Sequence, residues 1–125
     1  MKKDELAVAL HGRGYNCAQS VLMSMSDHTG MSDAASSAIG TGFGGGAGCR
    51  ELCGALSGAF MATGARLGAD RRPQVLAIDR ELTNAFRERF GAVRCAELKA
   101  AGVPCDELIA FAAARIEEAL SALSE

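Results

Sequence analysis

Apolar residues recur at three- and four-residue intervals along almost the whole chain, and nowhere do they alternate singly with polar ones as a half-buried strand requires. Leu6 and Leu10 mark a short first helix, capped by Asp4 and ended by Gly12 and Gly14. Asn16 is a good N-cap for a second helix whose apolar face runs Ala18, Val21, Leu22 and Met25. The stretch from Asp33 to Ile39 predicts a third, with Ser32 as its cap, before the glycine-rich run Thr41-Gly42-Phe43-Gly44-Gly45-Gly46-Ala47-Gly48 interrupts the pattern.

The longest element is expected from about Arg50 to Leu67, stopped at Gly68. A fifth helix starts around Pro73, a residue suited to the first turn, and directs Val75, Ile78, Leu82, Phe86 and Phe90 inward before Gly91 ends it. A short helical turn from Val93 to Ala100 carries Cys95 and Leu98 and stops at Gly102. Pro104 opens the last helix, with Cys105, Leu108, Ile109, Ala112, Ile116, Leu120 and Leu123 along one face, so Cys105 is expected to point towards the core. The pattern predicts an all-α, compact single domain over residues 1–125, a bundle of about five to seven helices with a Gly-rich loop before the central helix.

Composition supports a packed interior. A chain of 125 residues that is 49% hydrophobic can bury a core without disulfide staples, and five cysteines are too few for a small secreted scaffold. The start Met1-Lys2-Lys3-Asp4-Glu5-Leu6 meets acidic residues before any long apolar run, unlike a signal peptide, which points to a cytoplasmic protein with free, metal-bound or catalytic thiols. The longest apolar stretch, Cys53 to Ala65, is broken by Gly54, Ser57, Gly58 and Gly64 and falls short of the roughly 20 residues of a membrane span. A net charge of -2 with scattered Arg and Lys gives no basic stripe for nucleic acid.

Candidate chemistry lies in the cysteines. Cys17, Cys53, Cys95 and Cys105 fall near predicted helix starts, where unpaired backbone amides favour thiolate over thiol, and no two cysteines form a CxxC pair. A free thiol with a pKa of about 8.5 is roughly 3% ionised at neutral pH, and the about 0.3–1 kcal/mol of a helix terminus raises this to at most roughly 15%. Strong activation of Cys53 therefore calls for a cation, and Arg50 and Arg94 are the nearest in sequence. Cys49 and Cys53, four apart, would share a helix face at about 5–6 Å between Cβ atoms, too wide for a disulfide unless the helix begins after Cys49.

The glycine run lacks the GK[ST] ending of a phosphate loop and follows no predicted strand. It reads as a flexible lid or, better, as backbone able to approach the cysteines where side chains would not fit. His11 and His28 read as solvated groups at helix ends, and no Ser/His/Asp order, paired carboxylates or HExxH is present.

Together, Asn16-Cys17-Ala18-Gln19, Gly42-Phe43-Gly44-Gly45-Gly46, Cys53-Gly54-Ala55-Leu56-Ser57-Gly58, Phe90-Gly91 with Cys95, and Cys105 resemble the C_GCAxxG_C_C family of redox-active proteins over nearly the whole chain. The resemblance implies that Cys17, Cys53, Cys95 and Cys105 are the motif cysteines and leaves Cys49 outside the pattern. It implies a redox reaction class without naming a substrate. The expected mechanism is dithiol and disulfide exchange with Cys53 as the attacking or attacked thiol, which needs no cofactor and takes a redox partner protein or a small thiol or disulfide as substrate. Three pairings of the four cysteines remain open, as does a homodimer. The alternative is a zinc or Fe–S site made by the same four thiolates, and a third reading is a non-enzymatic helical interaction module whose cysteines only pack.

Overall fold

The computed structural model describes residues 1–123. Eight helices follow one another: α1 Lys3–Gly12, α2 Cys17–Ser24, α3 Ser26–Thr29, α4 Asp33–Gly40, α5 Gly54–Leu67, α6 Arg72–Phe90, α7 Cys95–Ala100 and α8 Cys105–Ser121. Among the described residues there is no strand, only one isolated antiparallel bridge between Leu52 and Arg94. The all-helical bundle anticipated from periodicity is therefore observed, with the four-residue α3 the one addition to the expected elements, bringing the α-helices among the described residues to eight.

Helix α5 occupies the middle, packed against α2, α6 and α8, while α1 lies against α8 and α2. Its central position follows from its composition: Ala55, Leu56, Ala59 and Ala62 are buried, and small residues let neighbouring helices close in around it. A Cβ on Gly58 would lie 2.5 Å from the carbonyl oxygen and 3.1 Å from the Cα of Ala18, so α2 and α5 touch backbone to backbone. Val21 and Leu22 from α2, Met25 at its C-cap, and Ile109, Ala112 and Ile116 from α8 extend the core. Fully buried Phe86 meets Phe90 and Phe111 in tilted and edge-to-face contacts, the three ring centroids 4.9 to 6.1 Å apart.

Three expected boundaries move. The Arg50–Leu67 helix begins only at Gly54, because Cys53 is extended and the Glu51–Cys53 segment pairs with Val93–Cys95 instead: the Cys53 amide donates to Val93 O at 2.9 Å and the Cys95 amide to Glu51 O at 2.6 Å. The same pairing removes Val93 and Arg94 from α7 and leaves the 19-residue α6 as the longest helix. Helix α1 begins at Lys3 with Lys2 as its N-cap, so Asp4 lies in its first turn, where its charge suits the helix dipole. No described helix is long and apolar enough to cross a membrane.

Candidate cysteine site

Four helix N-termini meet at one cavity. Cys17, Cys95 and Cys105 are the first residues of α2, α7 and α8, and Cys53 is the N-cap of α5. All four line a partly enclosed, mainly apolar cavity of about 150 Å³, together with Leu98, Val103, Leu108, His11 and Lys99. Each helix thus turns its unpaired amide end, the positive pole of its dipole, towards the same group of sulfurs.

Local sequence explains how each end is held. At α2 the Gln19 amide donates to Asn16 Oδ1 at 2.8 Å and the Asn16 amide to Gln19 Oε1 at 2.9 Å, a reciprocal cap. The same two side chains reach across to the chain before the glycine run, Asn16 Nδ2 to Gly40 O at 3.2 Å and Gln19 Nε2 to Ser37 O at 2.9 Å. Asn16 and Gln19 therefore fix Cys17 both to its own helix and to α4. A Cβ on Gly54 would meet Cys17 Sγ and lie 2.8 Å from the backbone oxygen of Phe43, so the position leaves little room for a side chain.

The Leu52–Arg94 bridge ties the ends of α5 and α7 together and puts Cys53 and Cys95 on one face of the pairing, diagonal neighbours. The glycine run closes over them. A Cβ on Gly46 would lie 2.8 Å from Cys95 Cβ and 2.5 Å from the Glu51 amide nitrogen, and one on Gly44 would lie 2.5 Å from Asn16 Cβ, which is the close backbone approach expected of this segment. At α8, Lys99 Nζ stands 4.0 Å from Cys105 Sγ.

The four thiols are not equivalent. Cys53 is 4% and Cys95 8% exposed, whereas Cys17 and Cys105 are partly exposed. Burial pushes the Cys53 thiol up to about 12; the Ala55 and Leu56 amides pull it down, and nearby Cys17 and Cys95 raise it further. Burial therefore works against ionisation of Cys53, the expected attacking or attacked thiol, because desolvation outweighs the helix end. Neither expected cation serves it: Arg94 forks onto Glu51, Nε to Oε1 and Nη2 to Oε2 at 3.2 Å each, and exposed Arg50 is not among the cavity residues. Cys105 packs against the core as expected, yet it stays partly exposed beside Lys99.

Cys49 lies apart from the cavity. It is exposed on a wide turn, Gly46–Arg50, in which Ala47 and Arg50 both take left-handed backbone (φ 62°), and its Sγ–H donates to Gly46 O at 3.4 Å. Since α5 starts at Gly54, Cys49 and Cys53 do not share a helix face.

His11 is the residue that sequence reasoning passed over. It was expected to be a solvated group at the end of α1; in the structure it lines the cavity, and its Nδ1 is 2.8 Å from Asp106 Oδ1 on α8. No local signal marks this, because its partner is 95 residues away. His28 also departs from its expected solvated role. It lies in α3 with Nε2 2.7 Å from Glu117 Oε2, and Asp27 beside it pairs with Lys3 at 3.0 Å.

Donor chemistry and spacing bear on metal binding. Four thiolates at four helix ends suit a thiophilic metal centre. A single tetrahedral zinc with Zn–S of about 2.3 Å would hold the sulfurs about 3.8 Å apart. Among the described residues, however, the only group of three or more candidate ligands within 4.8 Å of one another is Asp27, His28 and Glu117, so no three sulfurs are gathered that closely. The arrangement fits one zinc ion poorly and is compatible in ligand type with a wider cluster.

A model of the C_GCAxxG_C_C family, described as "Putative redox-active protein", matches residues 15–119. No curated protein and no solved structure matches the chain.

Proposed function

Because the chain belongs to the C_GCAxxG_C_C family, we propose that it exchanges electrons through Cys17, Cys53, Cys95 and Cys105 acting as one thiol and disulfide site. The observation that supports this is the convergence of four helix N-termini, each bearing a motif cysteine, on a single cavity. Cys105 is the entry thiol, since it is partly exposed, starts a 17-residue helix and has the Lys99 ammonium beside any thiolate it forms. Its thiolate attacks one sulfur of a partner disulfide, forming a mixed disulfide and releasing the partner's other sulfur as a thiolate that takes up a proton. A second cavity thiol then attacks Cys105 Sγ, and the partner leaves as a dithiol. Two electrons pass to the partner, one disulfide is lost there and one is gained here, with no net change in protons. The buried Cys53 and Cys95 serve as inner thiols reached only by intramolecular exchange.

The test uses Cys49→Ser protein, purified without oxygen, treated with glutathione disulfide and analysed by thiol count and disulfide mapping. Loss of thiols in pairs, with Cys105 the first to carry glutathione, is expected. Oxidation that stops at a stable single adduct, or that never involves Cys105, would overturn the reading.

A second reading is supported by the donor set itself. An iron–sulfur cluster held by Cys17, Cys53, Cys95 and Cys105 would supply one-electron transfer, and a bound cation would remove the penalty that burial and neighbouring thiols place on Cys53 ionisation. Stoichiometric iron and sulfide with visible absorption in the anaerobic protein would replace exchange by this reading.

A further inference from the structure

We propose that His11, held by Asp106, is the proton acceptor and donor of the cysteine cavity. The inference rests on the exchange reading, in which the cysteines act as free thiols. Each exchange step must take a proton from an attacking thiol and return one to a leaving sulfur. A partly enclosed, mainly apolar cavity has few groups able to do this. Of the residues lining it, only His11 and Lys99 carry basic side chains, and Lys99 already faces Cys105 Sγ.

The histidine is set up by its partner. Asp106 Oδ1 lies 2.8 Å from Nδ1, which fixes the ring and favours the tautomer with the proton on Nδ1. That leaves Nε2 with its lone pair, and no hydrogen bond within the described chain occupies it. His11 lines the cavity together with Cys105 from α8, Cys17 from α2, Cys53 from the start of α5, and Cys95 and Lys99 from α7, and its partner Asp106 adjoins Cys105. Asp106 follows Cys105 in sequence, so the start of α8 carries both the entry thiol and the carboxylate that orients the base. In the attack step the Cys105 Sγ proton passes to His11 Nε2 as the sulfur bonds to the partner. The imidazolium then returns that proton to the departing partner thiolate, so that histidine ends each half-cycle neutral.

A role confined to bracing α1 against α8 makes a different prediction, and the experiment separates the two. In the Cys49→Ser background, the rate of thiol loss to glutathione disulfide is measured from pH 5 to 9 for His11, His11→Gln, His11→Ala and Asp106→Asn proteins, with thermal melting alongside. General acid–base groups typically contribute about 10²–10⁴-fold; because this site is partly open to water, His11→Gln is expected to slow the reaction roughly tenfold or more near pH 7. Asp106→Asn should slow it less, and added imidazole should restore much of the His11→Ala rate. The number of thiols finally lost should be unchanged. If His11→Gln keeps the parent rate and profile, or if imidazole has no effect on His11→Ala while the parent still loses thiols in pairs, the proposal is wrong and the exchange reading survives. If the parent itself loses no thiols in pairs, both are overturned.

Discussion

Replacing Gly58 with alanine tests the backbone-to-backbone contact between α2 and α5, and the same substitution at Gly64 supplies the control. Both glycines lie within α5. At Gly58 the new Cβ would lie 2.5 Å from Ala18 O, 3.1 Å from Ala18 Cα and 3.2 Å from Ala18 C, against ordinary contact from 3.4 Å, so the two backbones must part by about 0.9 Å. No rotamer change relieves this, because every atom met belongs to the backbone of α2. A shift of that size weakens dispersion contacts along the α2–α5 seam, and overpacking of this kind costs about 1–3 kcal/mol. The better helix propensity of alanine offsets up to about 1 kcal/mol.

The net expectation is a loss of up to about 2 kcal/mol, read as a fall of up to about 8 °C in Tm for a chain of this size. At Gly64 a Cβ meets nothing within 4 Å, so only propensity remains and alanine should stabilise by about 0.5–1 kcal/mol. Paired urea melts of the parent and the two variants, with m-values compared, make the measurement. Two shifts of the same sign would refute the close-contact account of α5.

Two further outcomes follow from the site and its surroundings. Cys53→Ser should abolish pairwise thiol loss at that position while holding stability within about 1 kcal/mol, because Cys53 is the N-cap of α5 and serine is a preferred residue there for the Ala55 and Leu56 amides; a protein that unfolds outright on this change would mean that the sulfur holds the fold together. Asp79, half-buried on α6 with Oδ1 lacking a partner, is pushed up to about 6 by burial, with Thr63 opposing. Since its folded pKa lies above the unfolded value, the folded state holds the extra proton between about pH 4 and 6, and stability falls as pH rises through that window. Asp79→Asn should remove that slope and gain roughly 1 kcal/mol at pH 7 after allowance for solvent screening at a half-exposed group. Urea melts at pH 4.5 and 7 that show equal effects of the substitution would contradict it.

Much of the architecture is legible in the order of residues, for local reasons. Spacing of three and four identifies helices because it places apolar groups on one face, and Asn16, Ser32 and Gly91 delimit them through caps and a left-handed turn that depend on near neighbours alone. The four motif cysteines near helix starts are visible in the same way, as is the need for close approach around the glycine run. What tertiary structure decided depends on contacts between distant segments. The Leu52–Arg94 bridge delays α5 to Gly54, because amides at 53 and 95 found partners outside their own helices. Burial, a property of the assembled bundle, works against ionisation of Cys53 and leaves Cys105 partly exposed, a difference that helix position alone does not reveal. The meeting of His11 with Asp106 beside those sulfurs likewise exists only once α1 packs on α8, since periodicity places a residue on a face but does not say which distant face will oppose it.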